Sequence, residues 1–416
     1  MAPLLCLPTS TKARLALAGV LTAVYIVVTV LYTGIDRGTL TQLPDDLGHP
    51  TDIALDPQNN TEGVTLPTPP RILLVSAFFP VNTSKTTPAE YDAWLSHFLG
   101  TVTTDVYMYT PPSEAERLRA LRAPGAPLIV DTNFTTLFEI PPLLGKEDAY
   151  LRNRVQGQSP RSRRPIEVYA LRNAPPYFLA AASAGKGYDY AFYIDPTSFR
   201  SAHAYTAWPA SASVADLWAA GTALTGTPAT ELLFFPTRGT PHTTLALWTP
   251  SYGALDTALL DGAFFGGSPG AVAWWAAAFY AQHDWLMAQI AFVGATDSVS
   301  NVLALVHPQR VLTVWPGDPM APAAVEGANF LGQCGPLGKY YQFFLADAAS
   351  QDAMRIKWIE EASKWRWWGW WRARETTPCR VTRFLGIRDL LARVFGEDWR
   401  PPAPVVEVPT VDWTII

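Results

Sequence analysis

Read from its start, the chain first shows an absence of charge. From Leu15 to Ile35 (LALAGVLTAVYIVVTVLYTGI) no residue is charged. As a helix this run would extend about 32 Å, enough for a hydrocarbon core of about 30 Å. Lys12 and Arg14 precede it without an acid, which by the positive-inside rule keeps residues 1–14 cytosolic. The pattern predicts a single transmembrane signal anchor over 15–35, with a long cleaved signal peptide as the competing reading. Either way the rest of the chain is translocated. Residues 36–70 then lose all apolar periodicity and end in Leu66-Pro67-Thr68-Pro69-Pro70. Such a stretch buries no core and predicts a stem.

A folded domain is expected over 71–400, followed by a tail over 401–416. It opens on the aliphatic run Arg71–Phe79, broken by Pro80 and read as a buried strand. Thr87-Pro88-Ala89-Glu90 reads as a helix start, with Tyr91, Trp94, Leu95 and Phe98 at helical spacing behind it. Asp105–Thr110 predicts a second strand, Glu114–Leu121 a polar helix, and Pro127–Asp131 a third strand. This alternation predicts βαβ units on a parallel sheet, whose ligands bind at the carboxyl ends of the strands. A small-residue helix is expected over Tyr177–Ala184, and an aromatic strand from Tyr188 to Asp195. Gly262–His283 is a second uncharged stretch, interrupted by Gly266-Gly267-Ser268-Pro269-Gly270. It predicts a buried core helix over 271–282, too short to span a bilayer, with Ser268 as its N-cap and Pro269 at its first position.

Composition narrows the class. Charged residues are 16% and hydrophobic residues 49%, which excludes a disordered chain. The formal charge of −5 gives no overall basic field, so no nucleic-acid partner is expected. Arg152, Arg154, Arg161, Arg163 and Arg164 fall in a stretch without an acid, either a phosphate-steering cluster or a solvated loop. Lys364–Arg374 interleaves tryptophans with cations: core packing, an interfacial segment and a sugar-stacking surface all suit it. Asn59, Asn82 and Asn133 begin Asn-x-Ser/Thr triplets, which an oxidising lumen would allow to be glycosylated. There Cys334 and Cys379 could form a disulfide or stay two buried thiols. The histidines show no metal-ligand spacing, so zinc is not expected.

The candidate chemistry centres on YDYAFYIDPTSFR, residues 188–200. A buried strand that ends on Asp195 before a proline turn delivers a carboxylate where ligands dock. It could hold a hard cation against a diphosphate, or merely cap its own turn. Arg200 could reach a phosphate or pair with Asp195.

Tyr188, Asp189, Tyr190, Phe192, Asp195, Ser198, Phe199 and Arg200 resemble a conserved stretch of the HtrL/YibB family, a glycosyltransferase-like group. A second block, Asp261–Ser268 with Trp274-Trp275, Phe292-Val293-Gly294, Asn301 and Pro308-Gln309-Arg310, is similar in order and spacing. The resemblance covers roughly residues 71–315. It implies a GT-A-like, Rossmann-type mixed sheet flanked by helices. It further implies a nucleotide-sugar donor, a glycan or glycoprotein acceptor, and Mn²⁺ or Mg²⁺ as cofactor. Carried onto this chain, it makes Asp195 the metal ligand, Asp297 and Arg200 the catalytic candidates, and Asp189, Ser198, Gly266, Gly267 and Ser268 the substrate-binding candidates. The chain departs from the family where Gly-Lys-Asp-Gln is replaced by Gly294-Ala295-Thr296-Asp297. The lysine is gone and the carboxylate lies one place later. Two readings follow: a membrane-anchored, Golgi-resident type II glycosyltransferase, or a non-catalytic carbohydrate-binding or scaffold protein on that fold.

Overall fold

In the computed structural model the described residues are 68–81, 86–156, 164–295, 297–321, 331–336, 338–366 and 378–414. The expected anchor and stem up to residue 67, Asn59, Asn82, residues 157–163 of the arginine-rich stretch, and residues 367–374 of the tryptophan-rich run lie outside them. By its contacts the chain divides between Leu66 and Pro67. Among the described residues no helix is long and apolar enough to cross a membrane.

The second unit is a mixed α/β structure with an eight-stranded sheet flanked by helices. The strands are β1 (Ile72–Ala77), β2 (Asp105–Tyr109), β3 (Leu128–Asp131), β4 (Tyr190–Ile194), β5 (Leu233–Phe234), β6 (Phe264–Gly267), β7 (Val311–Val314) and β8 (Phe384–Gly386). Their spatial order is β3-β2-β1-β4-β6-β5-β7-β8. β3, β2, β1 and β4 run parallel, β6 is antiparallel to both β4 and β5, and β8 is antiparallel to β7. The chain therefore builds outward from β1 in two directions, first through β2 and β3, then through β4.

Alternation along β1 divides the core in two. Leu73, Val75 and Ala77 face one layer, with helices Ile166–Asn173, Pro175–Ser183, Pro269–Ala288, Ser298–Val306 and Ile387–Phe395. Ile72 and Leu74 face the other, with Pro88–Thr101, Ala115–Ala120, Ser211–Thr225 and Tyr340–Phe344. The helix after β1 starts where the sequence marks it. Thr87 accepts from the Glu90 amide, and the Glu90 carboxylate accepts from the Thr87 amide at 2.7 Å, a complete capping box.

Two expectations change. The core helix runs from Pro269 to Ala288, longer than 271–282, with Ser268 as its N-cap. It is core because Ala271, Trp275, Ala278 and Phe279 are buried against the sheet and neighbouring helices. It carries His283 through its interior because the ring is satisfied: Nε2 meets the Tyr150 hydroxyl at 2.8 Å and Nδ1 meets Asp284 at 2.8 Å. Gly266 and Gly267 do not interrupt an element; they are the end of β6. Glycine is disfavoured in strands unless another backbone comes close. Here a Cβ on Gly266 would lie 2.1 Å from the Ala191 carbonyl oxygen, and one on Gly267 2.6 Å from that of Leu232.

Cys334 and Cys379 are joined by a disulfide. Beside it, Arg380 donates its amide to Leu331 at 2.9 Å, and Arg355 Nε donates to the Cys379 carbonyl at 2.7 Å. The 401–414 stretch is laid back on the domain. Trp413 is buried, its Nε1 donating to the Ala273 carbonyl at 3.1 Å.

The β6 contact gives a test of the sheet. Gly266→Ala should destabilise the protein by about 3 kcal/mol or more, because backbone on β4 cannot yield as a side chain would. Urea denaturation checks this; a loss below about 1 kcal/mol would contradict the close approach.

Candidate functional site

β1 and β4 lie side by side at the point where the strand order reverses, the position at which open α/β sheets hold ligands. Their carboxyl ends are tied together: the buried Ser76 hydroxyl donates to the Ile194 carbonyl at 2.6 Å. Beyond them opens a cavity of about 450 Å³.

Asp195 stands at its floor. Its amide donates to Ala263 at 2.8 Å, which continues the β4–β6 pairing by one residue. Its Oδ1 accepts from the Thr197 amide at 2.8 Å and the Thr197 hydroxyl at 2.7 Å. One oxygen thus fixes the carboxylate on its own turn. Among the described residues no hydrogen bond reaches the other.

Asp297 lines the same cavity. It precedes helix Ser298–Val306 in the left-handed region, at φ 61°, a conformation that aspartate tolerates better than most residues. Its Oδ1 accepts from the Gly262 amide at 3.0 Å. That contact needs glycine, since a Cβ at 262 would fall 2.2 Å from the same oxygen. Arg238, just past β5, lies between two carboxylates. Its Nη2 is 2.9 Å from Asp261 Oδ1 and 3.6 Å from Asp297 Oδ2. Burial pushes the Asp297 carboxyl up to about 7, with Arg238 opposing and Asp261 adding to the rise. Its side chain is nevertheless 11% exposed.

Aromatic and cationic groups complete the wall. Phe78, Tyr91, Trp94 and Tyr193 line it together with Arg164, Arg172, Arg200 and Arg238. Arg200 does not pair with Asp195; its guanidinium lies over the Trp94 ring, 4.8 Å from the centroid. Arg172 is braced by a hydrogen bond to the Gly294 carbonyl at 2.9 Å.

The structure therefore places Asp195, Arg200 and Asp297 on one cavity. It places the other candidates elsewhere. Asp189 lies at the opposite end of β4, accepting from the Arg71 amide at 2.8 Å. Gly266 and Gly267 pair with Phe192 and Ala191, and Ser268 caps its helix, all away from the carboxyl end of β4. At these positions the structure shows sheet packing and helix capping. Ser198 is buried and accepts from Lys339 Nζ at 3.2 Å, facing a second cavity behind Arg200 and Arg238.

Arg238 and Lys339 escape sequence reasoning. Arg238 had a signal: Phe234-Phe235-Pro236-Thr237-Arg238 is an apolar run stopped by proline and ended by a cation, the same grammar that singles out Asp195. Lys339 had none.

Among the described residues no three His, Cys, Asp or Glu side chains come together to hold a metal ion. Asp261 and Asp297 are engaged by Arg238, which leaves one oxygen of Asp195. This donor set fits a cation that brings most of its ligands with it, as Mg²⁺ or Mn²⁺ on a diphosphate does. It does not fit a metal held by protein alone.

No protein-family model matches the chain, and no curated protein matches it; the HtrL/YibB resemblance rests on the motif residues. Among solved structures the chain is similar to core-mannan synthase A from Aspergillus fumigatus in its Mn/GDP form. That match covers 63% of this chain and 81% of the other, at 12% identity and a TM-score of 0.33.

Asp297 gives this site a pH signature. Its unfolded carboxyl titrates near about 4 and its folded one near about 7. The folded state therefore holds a proton that the unfolded state releases. The corresponding stability is fully present below about pH 4 and lost as pH rises through about 7. Relative to Asp297→Asn, the wild type should lose up to roughly 4 kcal/mol across that window. Denaturation at pH 4, 6 and 8 measures it, and parallel pH profiles for the two proteins would refute the assignment.

Proposed function

We propose that the protein is a GT-A-type glycosyltransferase, moving a sugar from a nucleotide-sugar donor to a glycan or glycoprotein acceptor. One observation carries this reading. At the switch point of the sheet, Asp195, Asp297 and several guanidinium groups converge on a cavity that also offers aromatic faces. A nucleoside diphosphate has an aromatic base and a dianionic linker, and needs both kinds of partner.

Tyr91 and Trp94 present rings for the base, while Arg200 and Arg238 hold the diphosphate. A divalent cation accompanying the diphosphate would sit on Asp195 and neutralise the leaving group. Asp297, with its carboxyl poised near neutrality, suits a general base. In an inverting transfer the acceptor oxygen bonds to the anomeric carbon as its proton passes to Asp297. The bond from that carbon to the diphosphate breaks, and the nucleoside diphosphate departs with the electron pair. A retaining transfer would not use such a base.

A second reading has its own support. Both oxygens of Asp297 are engaged, by Gly262 and Arg238, which suits a domain that binds nucleotide-sugar or glycan without turnover. For the cellular setting we propose a single-pass type II membrane protein of the Golgi with a lumenal domain. The uncharged run over 15–35 supports it, and so does the Cys334–Cys379 disulfide, since such bridges persist in oxidising compartments.

Nucleotide-sugar hydrolysis with Mn²⁺ separates the two readings. The wild type should release nucleoside diphosphate from at least one of the common donors, and Asp195→Ala should reduce the rate by about two orders of magnitude or more. Metal-dependent nucleotide binding without release would favour the binding protein. Neither binding nor release would remove the nucleotide-sugar assignment altogether.

A further inference from the structure

Behind Arg200 and Arg238 lies a second cavity, of about 540 Å³. Three parts of the chain far apart in sequence build it: the turn from Ser198 to Tyr205, the segment from Cys334 to Gln342, and one face of helix Ala348–Arg366. The Cys334–Cys379 disulfide fastens the middle segment. Trp358 packs on Gly335, whose added Cβ would come 2.9 Å from the indole, and its ring is 5.6 Å from that of Phe343. An indole held in this way offers a fixed apolar surface to a sugar.

The charges are uneven. The charged or titratable groups facing the cavity are Arg200, His203, Tyr205, Arg238, Lys339, Asp261 and Glu361, and burial keeps the Tyr205 phenol neutral. Asp261 is taken by Arg238. Burial holds His203 down to about 4, so it is neutral at physiological pH. Lys339 donates to Ser198 Oγ at 3.2 Å, and Gln342 Nε2 donates to the Ser198 carbonyl at 3.1 Å. Among the described residues neither Lys339 nor Arg200 has a carboxylate within ion-pair distance. Two cations are therefore presented to the cavity with one acid, Glu361, on the exposed part of its wall.

We propose that this second cavity binds a sugar bearing an anionic group, phosphate or carboxylate. Lys339 engages the anion, and Trp358 supports the ring. This binding does not depend on the glycosyltransferase reading. The ligand shares Arg200 and Arg238 with the cavity of Asp195 and Asp297, while those two carboxylates lie outside its own lining.

The test is calorimetric titration of the full chain with glucose 6-phosphate, glucuronic acid, glucose and inorganic phosphate, at fixed ionic strength. At least one charged sugar should bind about tenfold or more tightly than glucose, and which one does so identifies the anion. Lys339→Gln should weaken that binding about tenfold while leaving glucose unchanged. Glu361→Gln should strengthen it severalfold, a gain that a misfolded variant would not give. Asp195→Ala should leave it intact, and saturation with a nucleoside diphosphate and Mn²⁺ should not displace it. Charged sugars and glucose binding alike would overturn the proposal, as would inorganic phosphate binding as tightly as either charged sugar. Displacement by the nucleoside diphosphate would move the ligand to the donor cavity and also overturn it. Anionic-sugar binding without any nucleotide binding would keep the site but remove the donor reading, so the two failures are distinct.

Discussion

Arg238 holds in place two carboxylates that would otherwise repel each other. Asp261 and Asp297 both point at its guanidinium, and their side chains are 4% and 11% exposed. Removing one partner of a buried charge pair commonly costs about 3–5 kcal/mol, because the partner left behind is uncompensated. The strand ends around it follow from this pairing. Asp261 also accepts from the Ala263 amide at 3.2 Å, and the Ala263 carbonyl receives the Asp195 amide. One cation thereby fixes the chain that seats Asp195 and the carboxylate that faces it.

Much of the first half of the sheet could be read from the sequence. β1, β2, β3 and β4 are continuous apolar or aromatic runs bounded by Pro or Gly, and the elements appear within a residue or two of expectation. Burial on both faces explains this for β1 and β4, whereas β3 lies at the sheet edge with Ile129 half exposed and is marked instead by Pro127 before it. The second half was harder. β5 has two residues, β8 three, and β6 ends in two glycines, so none carries a periodicity long enough to register. β6 is the instructive case. Its glycines look like a break because propensity disfavours them in strands, whereas the tertiary contact with Ala191 and Leu232 demands them.

The site divides in the same way. Asp195 is legible because a strand end and a proline turn announce it. Arg200 is legible as a charge near that turn, although its partner is the Trp94 ring rather than a carboxylate. Asp297 is legible only through the motif, since nothing local tells that residue 262 lacks a Cβ for its sake. Lys339 becomes visible only once the chain has folded. It reaches Ser198 from 141 residues away, and no local pattern encodes a distance of that kind.

Arg238 is 41% exposed and lies on the wall of both cavities, as does Arg200. A guanidinium has a single positive charge to distribute, so an anion on one side alters the field felt on the other. Ligands of the two cavities are then thermodynamically linked: whatever factor one imposes on the affinity of its neighbour, the neighbour must return. The order of arrival would show in the kinetics, but the linkage itself is a property of two shared side chains.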